Sequence, residues 1–482
     1  MKDYKLYLQR IGLIGITNLL VALSSIFLLP IITKNFSIED YGVFVQIITA
    51  MSLIPNITLL GLPFSMLRFI SILNDKRKIR EEFYSIFFVV LACSIIISLM
   101  IYILSTPIAT ALFGGDAEVT KLLSIILLFT ALNLLLLNYF RTFNQMKRYS
   151  IFLLAQTYIG FFLVTYFVIT GYGIFYIVLS YLISNLILFL IMICIILSEI
   201  GFKIPKFKYI KKYLSFGLPT VPGNISYWVV DSMDRFIIGI LLGTAFVGFY
   251  SPGYTIGNII LMLIAPFTLI LPSILPKYYE NNDMRTVNMY INSSLKIFLL
   301  IAIPCAFTLS LLSKPILTLL TTPEIALNGY LITPFIAVSA ILFGCYGIIG
   351  NILILAKKTK IFGILWIIAA ILNIILNIVT IPNFGILGAA IATLCSYSLV
   401  FLVSTFYSTK YFELKLEMSY IIKSIISSSL ISIIIILANP QGIQNILIII
   451  IICAMLYFVL LMIFKSFKKK EIKLMKDMFY SK

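Results

Sequence analysis

Long apolar runs, separated by short charged or Pro/Gly-containing breaks, repeat from one end of the chain to the other. They fall near 11–32, 43–67, 84–106, 120–141, 150–170, 174–197, 215–240, 248–275, 291–313, 330–356, 361–381, 386–408, 419–438 and 443–464. Each is about as long as the roughly 20 residues a helix needs to cross a hydrocarbon core, and none shows strand-like alternation. The pattern predicts an all-α polytopic membrane protein with about 14 transmembrane helices. The first run is longer than a signal-peptide core and lacks a small-residue cleavage site, so it reads as a retained span.

Positive charge orients the spans, because short cytoplasmic loops collect Lys and Arg. Alternate connections hold Lys2, Lys5 and Arg10; Lys76, Arg77, Lys78 and Arg80; Arg141, Lys147 and Arg148; then Lys203, Lys206, Lys208, Lys211 and Lys212. The series continues through Lys277 and Arg285; Lys357, Lys358 and Lys360; Lys410 and Lys415; and a tail with Lys465, Lys468, Lys469, Lys470, Lys473, Lys476 and Lys482. These connections carry 29 of the 36 basic residues, which predicts an even number of spans and both termini in the cytoplasm. The expected location is the cell membrane.

Composition agrees. Of 482 residues 61% are hydrophobic and 11% charged, with a mean hydropathy of +1.10, too few charges to cover a water-facing body of this size. The net charge of +18 therefore reads as a collar facing anionic headgroups and not as a nucleic-acid surface. There is no histidine, and the six cysteines stand singly in apolar stretches, so imidazole chemistry, a metal centre and a Cys-x-x-Cys redox pair are not expected. No phosphate-binding Gly-x-x-x-x-Gly-Lys loop is present, so transport would be facilitated or coupled to an ion gradient or the membrane potential. No cofactor is expected beyond a coupling Na+ or H+.

An internal repeat is readable. GYGI at 171–174 matches NFGI at 383–386, Lys147 and Arg148 match Lys357 and Lys358, and YGVF at 41–44 matches VGFY at 247–250, at offsets of 212, 210 and 206. A repeat of six spans, an even number, gives two copies of the same topology related by an axis along the membrane normal. The expected organisation is an N-lobe at 1–198, a basic linker at 199–213, a C-lobe at 214–409, and an appended helix pair with a basic tail at 410–482.

Ionisable residues inside spans are costly in lipid and are candidates for function. Arg68 follows Gly61 and Pro63 at the end of span two, where a snorkelling role competes with a cavity-facing one; the breaks at Pro55 and Pro63 favour the cavity. Span seven carries Asp231, Asp234 and Arg235; Asp231 and Arg235, four apart, share a face, whereas adjacent Asp234 and Arg235 should diverge. The cluster keeps one net negative charge, which suits a basic partner or a bound cation, so Asp231 and Asp234 are candidates for ion coupling. Arg10 and Arg141 lie at span ends, where collar and cavity roles are equally open. Lys296 and Lys314 read as snorkelling residues. Asn18, Gln46, Asn224, Tyr227 and Trp228 are candidate cavity-lining residues, although single polar residues in spans more often bond neighbouring helices. Asn373 and Asn377, one turn apart, read as such glue.

Three segments carry a family resemblance: NFSIEDYGVF at 35–44, MDRFIIGILLGTAFVGFYSPGY at 233–254, and NIVTIPNFGILGAAIATLCSYS at 377–398. They resemble the polysaccharide-transporter branch of the multidrug/oligosaccharidyl-lipid/polysaccharide (MOP) superfamily, the Wzx-type flippases. The resemblance implies two six-helix lobes like those of MATE drug exporters, and alternating access that moves a polyprenyl-diphosphate-linked oligosaccharide from the inner to the outer leaflet. It also implies that basic cavity residues hold the diphosphate, with Arg68 and Arg235 at matching positions and Arg10 and Arg141 more loosely so. The implied protein is a transporter and not an enzyme, acting as a monomer on a lipid-linked glycan among membrane lipids, with other polysaccharide-assembly membrane proteins as partners and no nucleic acid. An ion-coupled small-molecule exporter and a lipid-linked peptidoglycan-precursor flippase remain open beside it. Span one has no acidic residue, which counts against a drug-exporter type of cation site in the first lobe.

Overall fold

The structure, a computed structural model, describes residues 2–73, 75–413 and 418–464, with side chains throughout except at 2–11, 269 and 359. Lys415 and the basic tail from Lys465 onward lie outside the described residues, as do the side chains of Lys2, Lys5 and Arg10. Every regular element described is helical.

Chain contacts gather into two units, residues 1–251 with 363–389, and residues 252–362 with 390–482. The first begins with α1 (Lys2–Thr33), α2 (Ile38–Thr58) and the short α3 (Leu62–Ser65), which runs into a π-helical turn at Met66–Ile70. It continues with α4 (Lys76–Ile103), α5 (Ser105–Leu112), α6 (Ala117–Thr142), α7 (Met146–Ile169), α8 (Ile174–Ile200), α9 (Ile210–Gly217) and α10 (Val221–Leu242). Helix starts are set by side-chain caps: Ser37, Asp75 and Asp116 accept main-chain N–H bonds from Asp40, Arg77 and Val119 at 3.1, 2.9 and 3.1 Å. α8 ends at Gly201, whose φ of +70° suits a residue without Cβ. α6 is the central post, packed against α2, α4, α5, α7 and α8. It has 72% of its apolar window buried, whereas α1 has 17%, so the outer helices leave apolar faces for lipid. Asn133 on α6 donates to the main-chain and side-chain oxygens of Asn185 on α8 at 2.9 and 3.0 Å, and Gln156 on α7 donates to the same side chain at 3.2 Å. This is polar glue between three spans.

The second unit continues α11 (Thr244–Asn258), which straddles the division, through a tight turn at Ile259–Ile264 into α12 (Ala265–Glu280). Then come α13 (Met284–Leu320), α14 (Pro323–Gly329) and α15 (Ile332–Leu355). α16 (Thr359–Phe384) belongs mostly to the first unit, α17 (Ile386–Thr409) mostly to the second, and α18 (Met418–Ala438) and α19 (Gly442–Ile463) close the described chain. α13 is this unit's post, packed on α12, α14, α15, α18 and α19. Pro304 within it has no N–H to give to the carbonyl of Leu300. Tyr457 of α19 supplies the missing donor, its hydroxyl reaching that carbonyl at 2.7 Å while lying 2.7 Å from the hydroxyl of Ser424 on α18. A cavity of about 550 Å³ is lined in part by Leu300, Pro304, Ser428 and Tyr457.

Among the described residues thirteen helical runs, with α11 and α12 taken as one, are long and apolar enough to cross a membrane. α10, with 22 residues, is equally long but carries Asp231, Asp234 and Arg235, and stands where the sequence places its seventh span. The chain is a multi-pass membrane protein.

Candidate functional site

α10 concentrates the charge. Asp234 is fully buried, and its carboxylate accepts bonds from the Tyr250 hydroxyl on α11, from the Arg235 main-chain N–H at 2.8 Å and from Arg235 Nη1 at 3.1 Å. A carboxylate held away from water is tolerated when its lone pairs are filled in this way. Adjacent side chains diverge on a regular helix, yet the ion pair of Arg235 forms with Asp234, because the guanidinium folds back to bond Asp234 and the main-chain carbonyl of Asp231 at 2.9 Å. Asp231 is half-buried, and one of its oxygens accepts from Ser232 at 3.0 Å.

α2 lies along this segment. Gln46, fully buried, donates to the Arg235 main-chain carbonyl at 3.3 Å, and its amide nitrogen sits where a Cβ on Gly239 would stand, so the glycine admits the amide. Trp228 donates to Ser52 at 2.8 Å. Gln46 and Trp228 thus bond α2 to α10. Tyr227 is exposed and meets Trp366 of α16 edge-on at 5.2 Å, Asn224 is half-buried, and Asn18 is exposed on α1. Arg141 is exposed in the last turn of α6.

Arg68 forms a separate grouping. α2 stops at Thr58, short of the run that the sequence suggests, because the chain turns through Leu60 and Gly61, both at positive φ. Arg68 therefore sits not on span two but in the π turn beyond it, exposed, with its guanidinium 5.0 Å from the Phe216 ring centre and 5.9 Å from that of Phe69. Extra-turn geometry of this kind recurs at functional sites. The linker is strapped to the same unit: Glu199 pairs with Arg148 and accepts from Tyr139 at 3.3 Å, Glu81 pairs with Lys203 at 3.1 Å and with the Lys206 main-chain N–H, and Glu82 accepts from the Tyr213 hydroxyl. Burial, and then the bond to Glu82, push the Tyr213 hydroxyl up from its ordinary pKa.

Sequence reasoning misses Tyr250, Glu81, Glu82 and Tyr213 as partners. Tyr250 carries a signal, since it ends the VGFY copy of the repeat. The two glutamates are hidden within a basic run that reads as a collar.

Among curated relatives, the chain is 26% identical over 220 residues to a probable low-salt glycan biosynthesis flippase, Agl15, of Haloferax volcanii, covering 45% of this chain and 46% of that protein. The chain thus spans about half the length of that relative. Among solved structures it resembles the lipid II flippase MurJ in an inward closed conformation, with a TM-score of 0.76 at 19% identity over 95% of this chain and 98% of that one. It also resembles an inward-facing multidrug resistance MATE family transporter of the MOP superfamily, with a TM-score of 0.66 at 15% identity over 82% and 98%. These likenesses show a shared fold. The family model for polysaccharide biosynthesis proteins matches residues 31–324, more than half of the chain, and to that family the chain belongs.

Proposed function

We propose that the protein is a flippase that carries a polyprenyl-diphosphate-linked oligosaccharide from the cytoplasmic to the outer leaflet by alternating access. The observation that carries this reading is the extent of the fold match: the lipid II flippase covers 95% of the chain, the drug transporter 82% while covering nearly all of itself. The shortfall is comparable in length with the segment from α18 onward. A glycan hydroxyl entering hydrocarbon without a partner costs about 4–8 kcal/mol, and an unpaired diphosphate far more, so a polar passage is needed while the tail stays in the bilayer. Arginine suits capture, since it stays charged and bonds phosphate through two N–H groups.

In this reading Arg68, Arg235, Arg141 and Arg10 are the phosphate partners, the chain performs no covalent chemistry, both termini face the cytoplasm and the protein acts as a monomer. Asn224 and Tyr227 meet the glycan. The bonds that Asp234 accepts support a structural role for it, and Asp231 stays beside it as a candidate for ion coupling. An ion-coupled exporter is the second reading, favoured by the acid-rich balance of α10. Loss of the gene in its host, followed by mass spectrometry of prenyl-linked glycans and a membrane-impermeant glycan probe, tests both. Accumulation of glycan-lipid inaccessible from outside supports the flippase; unchanged accessibility together with loss of cationic dye efflux overturns it.

A further inference from the structure

Two cations from separate elements meet at one aromatic cluster. The side chains of Phe69, Tyr213 and Phe216 form it, with Phe69 stacked on Tyr213 at 5.6 Å and edge-on to Phe216 at 5.3 Å. Arg68 lies over Phe216 and beside Phe69, and Lys212 Nζ stands 4.4 Å from the Phe69 ring centre. Arg68 comes from the π turn after α3, Lys212 from α9.

The elements are locked at their backbones. The Ser65 hydroxyl donates to the Tyr213 main-chain carbonyl at 2.7 Å, and a Cβ on Gly61 would stand 2.2 Å from the Gly217 carbonyl oxygen. α9 buries Tyr213 and Gly217 and leaves Lys211 and Lys212 exposed, the form of a basic helix lying in the headgroup plane.

The neighbouring acids are already engaged, Glu81 with Lys203 and the Lys206 N–H, and Glu82 with Tyr213. Among the described residues neither Arg68 nor Lys212 has an ion pair. Two fixed positive charges on ring faces, with their nearby carboxylates spoken for, form an anion site. Its place on an interfacial helix selects an anion carried by a lipid.

We propose that Arg68 and Lys212, seated on Phe69 and Phe216, bind the phosphate headgroup of a membrane lipid. This deepens the flippase reading and rests on it only in making the site the place where a diphosphate is first held; a bulk anionic phospholipid offers the same chemistry. Native mass spectrometry of the full chain in detergent, titrated with dioleoyl-phosphatidylglycerol or farnesyl diphosphate and with phosphatidylcholine as reference, tests it. Arg68→Gln and Lys212→Gln should each weaken binding about fivefold, the yield of one interfacial cation, and Arg68→Lys much less. Lys211→Gln, a charge on the same helix outside the cluster, should weaken binding less than either. Loss confined to the glycerol lipid assigns the site to bulk phospholipid, and loss confined to the diphosphate assigns it to the carried lipid; both support the site. Equal affinity of the double Gln variant and the parent for both probes overturns it, as does an equal loss in Lys211→Gln. A melting curve matching the parent's keeps misfolding out of the comparison. Binding is read without transport, so a chain that binds but flips nothing removes the function and leaves the site.

Discussion

Gly42→Ala is the sharpest test of how α2 meets α11. A Cβ at Gly42 would lie 1.9 Å from the carbonyl oxygen of Thr244, and one at Gly248 would lie 2.6 Å from the carbonyl oxygen of Ile38. Ile38 and Gly42 correspond to Thr244 and Gly248 at the repeat offset of 206, so each copy's glycine faces the other copy's preceding turn. Such reciprocity is what a two-fold relation imposes on a contact. An ordinary Cβ contact begins near 3.4 Å, and the obstacle is backbone, so the helix ends must part by about 1.5 Å. Overpacking of this kind costs about 1–3 kcal/mol, which shifts an equilibrium between closed and parted ends by roughly 5–150-fold. Pulsed electron–electron spin resonance between labels at Asn35 and Phe246, in a cysteine-free background, reads the separation. The parent should give one short distance, and Gly42→Ala a second, longer population. Gly15→Ala, with nothing within 4 Å, should leave the distribution unchanged. A Gly42→Ala distribution identical to the parent's, with an unchanged melting temperature, refutes the reasoning.

Tyr457→Phe should destabilise by about 1–2 kcal/mol by leaving the Leu300 carbonyl without its donor. Adding Pro304→Ala, which restores a main-chain N–H to that carbonyl, should recover most of the loss; simple additivity in thermal melts would count against the capping role. Asp234→Asn should cost on the order of 3 kcal/mol, because it removes the buried ion pair with Arg235 and weakens the bond from the Tyr250 hydroxyl, and Tyr250→Phe should cost less. Both variants melting like the parent would show that the cluster is not structural. Hydrogen bonds from Thr286, side chain first and then main chain, hold the Asp283 carboxyl below its usual range. Its folded pKa is depressed, so the capping contribution to α13 is present above the unfolded pKa of about 3.9 and fades as pH falls through the folded value. Asp283→Asn should flatten that part of the acid stability profile.

Helices announce themselves in this chain because lipid imposes one period and one length, so the apolar runs find the spans even where their ends differ by several residues. The ends differ where polar chemistry intervenes: Asp75 starts α4 at Lys76, eight residues before its apolar run, and the positive φ of Leu60 and Gly61 stops α2 early. The repeat offset of 206 leads from the sequence to Gly42 and Gly248. The sites are less legible. Hydropathy marks Asp234 as costly but cannot show that Tyr250 and Arg235 fill its lone pairs. Positive-inside counting treats Lys203, Lys212 and Arg148 alike, although two of them neutralise glutamates and the third, with no ion pair among the described residues, lies over a phenylalanine ring.

α10 shows why these two kinds of legibility part. Its apolar signal is weak, because Asp231, Asp234 and Arg235 fall within five consecutive residues of a helix of spanning length. Such a helix is viable only where its charges meet protein and not lipid, and the bonds from Tyr250 on α11 and Gln46 on α2 supply that enclosure. Residues that weaken the signal for a span are therefore the ones that require neighbours, and the neighbours are set by tertiary packing.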